Sequence, residues 1–140
     1  MEPKYWGSSF WNMINAIALS YPEEPDIQDQ NNVTAFLSCL QNVLPCEKCR
    51  LHFKENLVKF PLTEALTSRD NFIKWVINVH NAVNKSNGLP VLSYEDGINE
   101  MKRGLYGSKK ISSKYYVIGG LIVGIGAFWY LRKTKFFKKL

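Results

Sequence analysis

The sequence predicts an all-α protein: a compact bundle of five helices, the fifth short, followed by one C-terminal transmembrane helix. Three observations carry that reading. Apolar residues recur at helical spacing in successive segments, most cleanly at Phe72, Trp75/Val76, Val79 and Val83. No stretch alternates apolar and polar residues as a half-buried strand would. Residues 115–131, YYVIGGLIVGIGAFWYL, run for seventeen positions without a charged side chain.

Each element has its own start and stop. Ser8 and Ser9 are placed to cap a first helix from about Phe10 to Ser20, which Tyr21-Pro22 and the acidic turn EEPD end. A second helix spans about Gln28 to Asn42, with Val33, Phe36, Leu37 and Leu40 in register, and Pro45 closes it. The third starts at Cys46 and carries Leu51, Phe53, Leu57 and Val58 before Pro61. Thr67-Ser68 can cap a fourth, from about Arg69 to Lys85, that Asn87-Gly88 stops. Ser93 opens the short fifth helix, through Met101. The boundaries are then a folded domain over 1–107, a basic linker over 108–114, the span over 115–131 and a basic tail over 132–140.

Charge separates domain from tail. Residues 1–107 hold ten Lys/Arg and twelve Asp/Glu, a net of −2; residues 108–140 hold eight Lys/Arg and no acid, a net of +8. A nucleic-acid module needs its positive charge on the folded surface, so nucleic acid is not an expected partner. As a helix the apolar run is ~26 Å long, enough to span a bilayer core with its ends snorkelled. Lysines and arginines flank it, and Tyr115, Tyr116, Trp129 and Tyr130 mark its two ends as an aromatic belt. MEPKYWGSS lacks the apolar core of a signal peptide, so the expectation is a tail anchor with residues 1–107 facing the cytosol.

Three cysteines are too few for a disulfide-stapled scaffold, which favours cysteine chemistry over cysteine architecture. Cys46-Glu-Lys-Cys49 opens a helix. There both sulfurs can bridge, and the first thiol meets unpaired N–H groups and the positive end of the helix dipole. Two other readings compete. Cys46, Cys49 and His52 with Cys39 or His80 total four zinc ligands, but structural zinc sites usually show two paired knuckles and one is present. A thioredoxin-like domain needs strands that the pattern lacks. Cys39, on an apolar helix, reads as packing.

Two further groups stand out. His80-Asn81-Ala82-Val83-Asn84-Lys85 sets a polar strip beside a full apolar stripe, which suits a helix lying against a large planar polar ligand. Trp6-Gly7-Ser8-Ser9-Phe10-Trp11 with Asn15 is an aromatic cluster that suits either a core or a cofactor wall.

Together, the Trp-led first helix, Leu44-Pro45-Cys46-Glu47-Lys48-Cys49 and Trp75 followed by His80-Asn81-Ala82-Val83-Asn84 resemble the Erv/ALR family of FAD-linked sulfhydryl oxidases. The resemblance covers about Lys4 to Met101, and the short form opening PKYWG looks closest to members carried by large DNA viruses. It implies a four-helix bundle with a short fifth helix that binds FAD, is usually dimeric, and oxidises thiols of a dithiol protein, a thioredoxin-like carrier among the candidates, with O2 as acceptor. By the same resemblance Cys49 is the sulfur near the flavin and Cys46 the one that meets substrate. His80, Asn81, Val83, Asn84 and Lys85 line the adenine and ribose side. Gly7, Ser8, Trp11 and Asn15 stand on the first-helix side of the cofactor, with Tyr21 and Tyr94 as further candidates. The implied location is a virion or host cytoplasmic membrane. Asn15 replaces a histidine common in the family, Leu89 a basic residue, and a second shuttle cysteine pair is absent. Without the resemblance, a zinc-binding regulatory module and a membrane-tethered adaptor remain open.

Overall fold

The structure is a computed structural model that describes residues 1–107; the linker, the transmembrane helix and the basic tail expected from the sequence lie outside the described residues. Among the described residues no helix is long and apolar enough to cross a membrane, and none is in a strand. A 3-10 turn, Pro3–Tyr5, precedes six helices: α1 (Gly7–Ser20), α2 (Ile27–Val43), α3 (Glu47–Lys59), α4 (Leu62–Ala65), α5 (Arg69–Ser86) and α6 (Tyr94–Tyr106).

The helix ends follow local chemistry, with three corrections. Neither Ser8 nor Ser9 caps α1. The 3-10 turn feeds straight into it, with Trp6 N–H on Pro3 O (3.2 Å) and Phe10 N–H on Trp6 O (3.0 Å), so both serines become helical positions. The acidic turn does more than stop α1, because Asp26 and Asp29 form a reciprocal capping box that starts α2. The fifth helix of the sequence reading is not short: α6 runs thirteen residues and ends only at Gly107, whose φ of 68° suits glycine. Gly104 sits inside α6, where an added Cβ would lie 2.5 Å from Asn12 Oδ1. The single turn α4 was not expected, being too short to display a period. Ser68 caps α5 as foreseen.

α5 is the central helix, in contact with α1, α3, α4 and α6, while α2 packs on α3. Phe72, Val76 and Val79 of α5 meet Ile14 and Ala18, Leu37 and Leu40, Phe53, Leu66 and Met101 in one core. Burying each large apolar side chain contributes roughly 1.5–3 kcal/mol against the chain's lost entropy. Ile73 and Ile77 are buried as well, so the apolar arc of α5 is wider than its expected stripe. The second side is covered by α6, which comes close through Gly97; a Cβ there would lie 2.8 Å from Ile77 Cδ1. Buried polar tips tie down the connections. Tyr21 OH donates to Leu66 O (3.1 Å), and Trp75 Nε1 donates to Phe60 O (2.7 Å). Cys39 is a correction: it is exposed on α2, between the buried Leu37 and Leu40, and does not pack in the core.

Candidate active site

The cysteine pair sits where α2 hands over to α3. Leu44 is buried at the end of α2, Pro45 is exposed, and Cys46 is the N-cap of α3, its Sγ accepting the Cys49 N–H at 3.2 Å. Cys46 and Cys49 form a disulfide across a Cα–Cα separation of 5.1 Å. Arg50 holds the turn from behind, its Nη1 donating to Leu44 O at 2.7 Å. Once the disulfide opens, the sulfur at the cap faces the first N–H groups of α3 and the positive end of its dipole, which favours thiolate over thiol. The two sulfurs are not equivalent. Cys49 packs against the core with Phe53 on the same helix, whereas Cys46 lies beside an open depression lined by Met1, Glu2, Pro3, Tyr5 and Glu47.

A second group assembles between α1, α5 and α6. The rings of Trp11 and His80 stack at 4.1 Å with an interplanar angle of 16°. Asn15 is 4% exposed and, with His80, Asn81, Gly97 and Met101, lines a pocket with room for about one water molecule. Burial pushes the His80 pKa below its ordinary value, and the charge of Glu100 opposes that shift. The ring is therefore neutral near pH 7. Asn81 spends both ends of its amide on one neighbour: Nδ2 donates to Leu92 O and Oδ1 accepts Leu92 N–H, each at 2.9 Å.

The structure divides the strip of α5. Val83 and Lys85 face the other way and line an open cleft with His52, Asn56 and Lys59 of α3. Asn84 is half-buried at the end of α5, where its carbonyl accepts Leu89 N–H at 2.9 Å. Gly7 and Ser8 occupy the first two positions of α1. Tyr21 and Tyr94 are not brought to the His80 group. Tyr21 lies in the core against Phe72, and Tyr94 donates to Asp70 beside Lys74, near the start of α5. That bond to Asp70 raises the Tyr94 pKa to about 12 and, after the larger effect of Lys74, helps lower that of Asp70. Sequence reasoning missed the α3 wall of the cleft. Its signal was available, since His52, Asn56 and Lys59 recur at i, i+4 and i+7 on one face. Among the described residues no group of three or more His, Cys, Asp or Glu side chains could hold a metal ion.

The chemistry of these residues, not the size of the pocket, fits a planar polar cofactor. Asn15 Oδ1 and Trp6 Nε1 are buried without a hydrogen-bond partner among the described residues. Each such atom costs about 1–3 kcal/mol unless something satisfies it. Asn15 Oδ1 belongs to the pocket beside the Trp11/His80 stack, so an unmet acceptor and aromatic faces stand together there, as the edge and face of a polar ring system need; Trp6, against Phe10 at the start of α1, does not line that pocket.

The fold and the site define a helical domain with a disulfide between Cys46 and Cys49 at a helix start. Comparison with known proteins makes this specific: the Erv1 / Alr family profile matches residues 8–102, and the chain belongs to that family. It is 39% identical over 119 residues to a probable FAD-linked sulfhydryl oxidase of Acanthamoeba polyphaga mimivirus, covering 84% of this chain and 83% of that one. An FAD-linked sulfhydryl oxidase of Arabidopsis thaliana is 35% identical over 64% of this chain, which spans only 46% of that longer protein. Among solved structures, the FAD binding domain of Erv1 from Saccharomyces cerevisiae superposes with a TM-score of 0.67 at 26% identity, over 74% of this chain and 97% of that one. The yeast Erv1 core gives 0.65 at 23% identity, over 77% and 86%, and shows the same fold.

Proposed function

We propose that the chain is an FAD-dependent thiol oxidase that forms disulfides in partner proteins through Cys46 and Cys49. The observation that carries the proposal is the Cys46–Cys49 disulfide at the first turn of α3, in a domain of the Erv1 / Alr family. Trp11, Asn15, His80 and Asn81 would hold the cofactor on the α1–α5 side, with Val83, Asn84 and Lys85 toward the α3 cleft. Gly7 and Ser8, at the start of α1, belong to the same proposal on the strength of the resemblance. FAD, when bound, supplies the oxidant that returns the Cys46/Cys49 dithiol to a disulfide and delivers two electrons to dioxygen, giving hydrogen peroxide.

The protein's own part is sulfur exchange. A partner thiolate attacks Cys46 Sγ, forming a mixed disulfide while the Cys46–Cys49 bond breaks and Cys49 leaves as thiolate. A second partner thiolate then attacks the partner's own sulfur, closing its disulfide and releasing Cys46. The partner loses two electrons and two protons; the pair gains two electrons. Cys46 leaves easily in that second step because the N–H groups at the start of α3 stabilise its negative charge. The closed core behind Cys49 keeps the partner on the Cys46 side.

The setting belongs to the same proposal. The apolar run 115–131 supports a C-terminal anchor with residues 1–107 in the cytosol, where a reducing environment makes a dedicated oxidant necessary for disulfides to form. The family resemblance supports a homodimer, which sedimentation of the purified chain tests. The deciding experiment is a visible absorption spectrum of that chain with a dithiol oxidation assay. About one FAD per chain is expected, with oxidation abolished by Cys46→Ser and by Cys49→Ser. Colourless protein that stays so after incubation with FAD, or full activity in either variant, overturns the proposal.

A further inference from the structure

The N-terminal segment runs against the loop that presents the redox pair. Met1 donates its backbone amine N–H to Pro45 O at 2.9 Å, and the 3-10 turn Pro3–Tyr5 carries the chain on to α1. Between this segment and Cys46 lies an open depression of about 560 Å³, walled by Met1, Glu2, Pro3, Tyr5 and Glu47. Two of its walls are large apolar side chains left in water beside a reactive sulfur: Met1 is 76% exposed and Tyr5 70%. Tyrosine and methionine are the residues that protein interfaces favour, one as an anchor with a polar tip, the other as an adaptable contact. Lys4 is engaged with Glu2 at 2.7 Å and lies over the Tyr5 ring. Glu47 has no ion-pair partner among the described residues, and Lys48 is not part of the lining.

We propose that this depression is the docking groove for the cysteine-bearing segment of the client protein, and that Tyr5 and Glu47 select that segment. The inference rests on the thiol-oxidase reading above and deepens it. The groove ends on Cys46, so a chain lying in it delivers its thiolate to the sulfur that exchange must attack. It is too open to enclose a small thiol, which would find little to hold it. An extended chain instead covers Tyr5, Met1 and Pro3 with its side chains. The unpaired carboxylate of Glu47 favours a lysine or arginine next to the client cysteine, and it disfavours an acid there.

The test uses the full chain and three thiols: a reduced Cys-x-x-Cys peptide flanked by lysines, the same peptide flanked by glutamates, and dithiothreitol. The wild type should prefer the lysine-flanked peptide by about fivefold in kcat/KM, the size of one partly exposed charge pair. Glu47→Lys should reverse the order of the two peptides. Any effect of the new charge on the reactivity of the pair cancels, because both peptides are read on the same variant. Tyr5→Ser should raise KM for both peptides and leave kcat in place. Equal rates for the two peptides, an unreversed order in Glu47→Lys, or a Tyr5→Ser loss confined to kcat would overturn the groove. If dithiothreitol is oxidised in those cases, the oxidase reading survives alone. If the wild type oxidises no thiol at all, both fall.

Discussion

Replacing Asn81 by alanine tests whether its side chain holds the connection into α6. The Asn81 amide makes two hydrogen bonds of 2.9 Å to the backbone of Leu92, and these join α5 to the connection that leads into α6. Each contributes about 0.5–1.5 kcal/mol net. Leu92 is half-buried, so water only partly replaces the lost partner, and Asn81→Ala should cost about 2 kcal/mol. In a domain of this size, 1 kcal/mol moves the melting temperature by roughly 4–8 °C, so the expected fall is about 8–16 °C by circular dichroism. Asn81→Asp is the sharper variant. It keeps an acceptor for Leu92 N–H but sets a carboxylate oxygen against Leu92 O, so at pH 7 it should be no more stable than the alanine variant. Amide exchange at Leu92 should speed up in both. A melting temperature within 2 °C of wild type for Asn81→Ala, or an aspartate variant as stable as asparagine, would refute the two-bond hold.

Stability should also fall with acid through His80. Its folded-state pKa is lowered by burial, so the unfolded chain binds the proton more tightly. The stability this gives is complete above the unfolded value of about 6.5 and is lost as pH falls through it toward the folded value. His80→Gln should flatten the melting curve against pH between about 7 and 5 relative to wild type; equal slopes refute it. Gly97→Ala should lose roughly 0–2 kcal/mol in chemical denaturation, because crowding against Ile77 costs about 1–3 kcal/mol and better helix propensity returns about 1. A gain in stability would mean that Ile77 yields without strain. Cys39→Ser should leave both stability and dithiol oxidation near wild type, since Cys39 is exposed and forms no disulfide; a dead enzyme would give Cys39 a redox role. Expressed in a eukaryotic cell, neither sequon, Asn32-Val33-Thr34 nor Asn84-Lys85-Ser86, should be glycosylated if residues 1–107 stay cytosolic. A glycosidase-sensitive mass shift at the exposed Asn32 would reverse the topology and leave the chemistry untouched.

The Cys46–Cys49 bridge was legible because its geometry is local: two sulfurs, a proline and a helix start lie within a few residues, and spacing alone brings them together. The stripe of α5 was legible for the same reason. What spacing could not give was the other side of each contact. Ile73 and Ile77 lie outside the expected stripe yet are buried, Ile77 against Gly97 of α6, and α6 runs on through Gly104 against Asn12 of α1. Cys39 matched its apolar neighbours in sequence but falls on the wet side of α2, an angle that periodicity leaves open where Val33, Phe36, Leu37 and Leu40 already span a broad arc. The strip after His80 went furthest astray in a useful way. Read as one ligand-facing surface, it splits in three dimensions: His80 stacks on Trp11, Asn81 holds Leu92, and Val83 with Lys85 looks across to His52 and Lys59. A helix rotates about 100° per residue, so the six consecutive positions 80–85 cannot share one face. Any ligand that touched both His80 and Lys85 would have to wrap around α5, and an extended dinucleotide, with a ring system at each end, has the shape to do so.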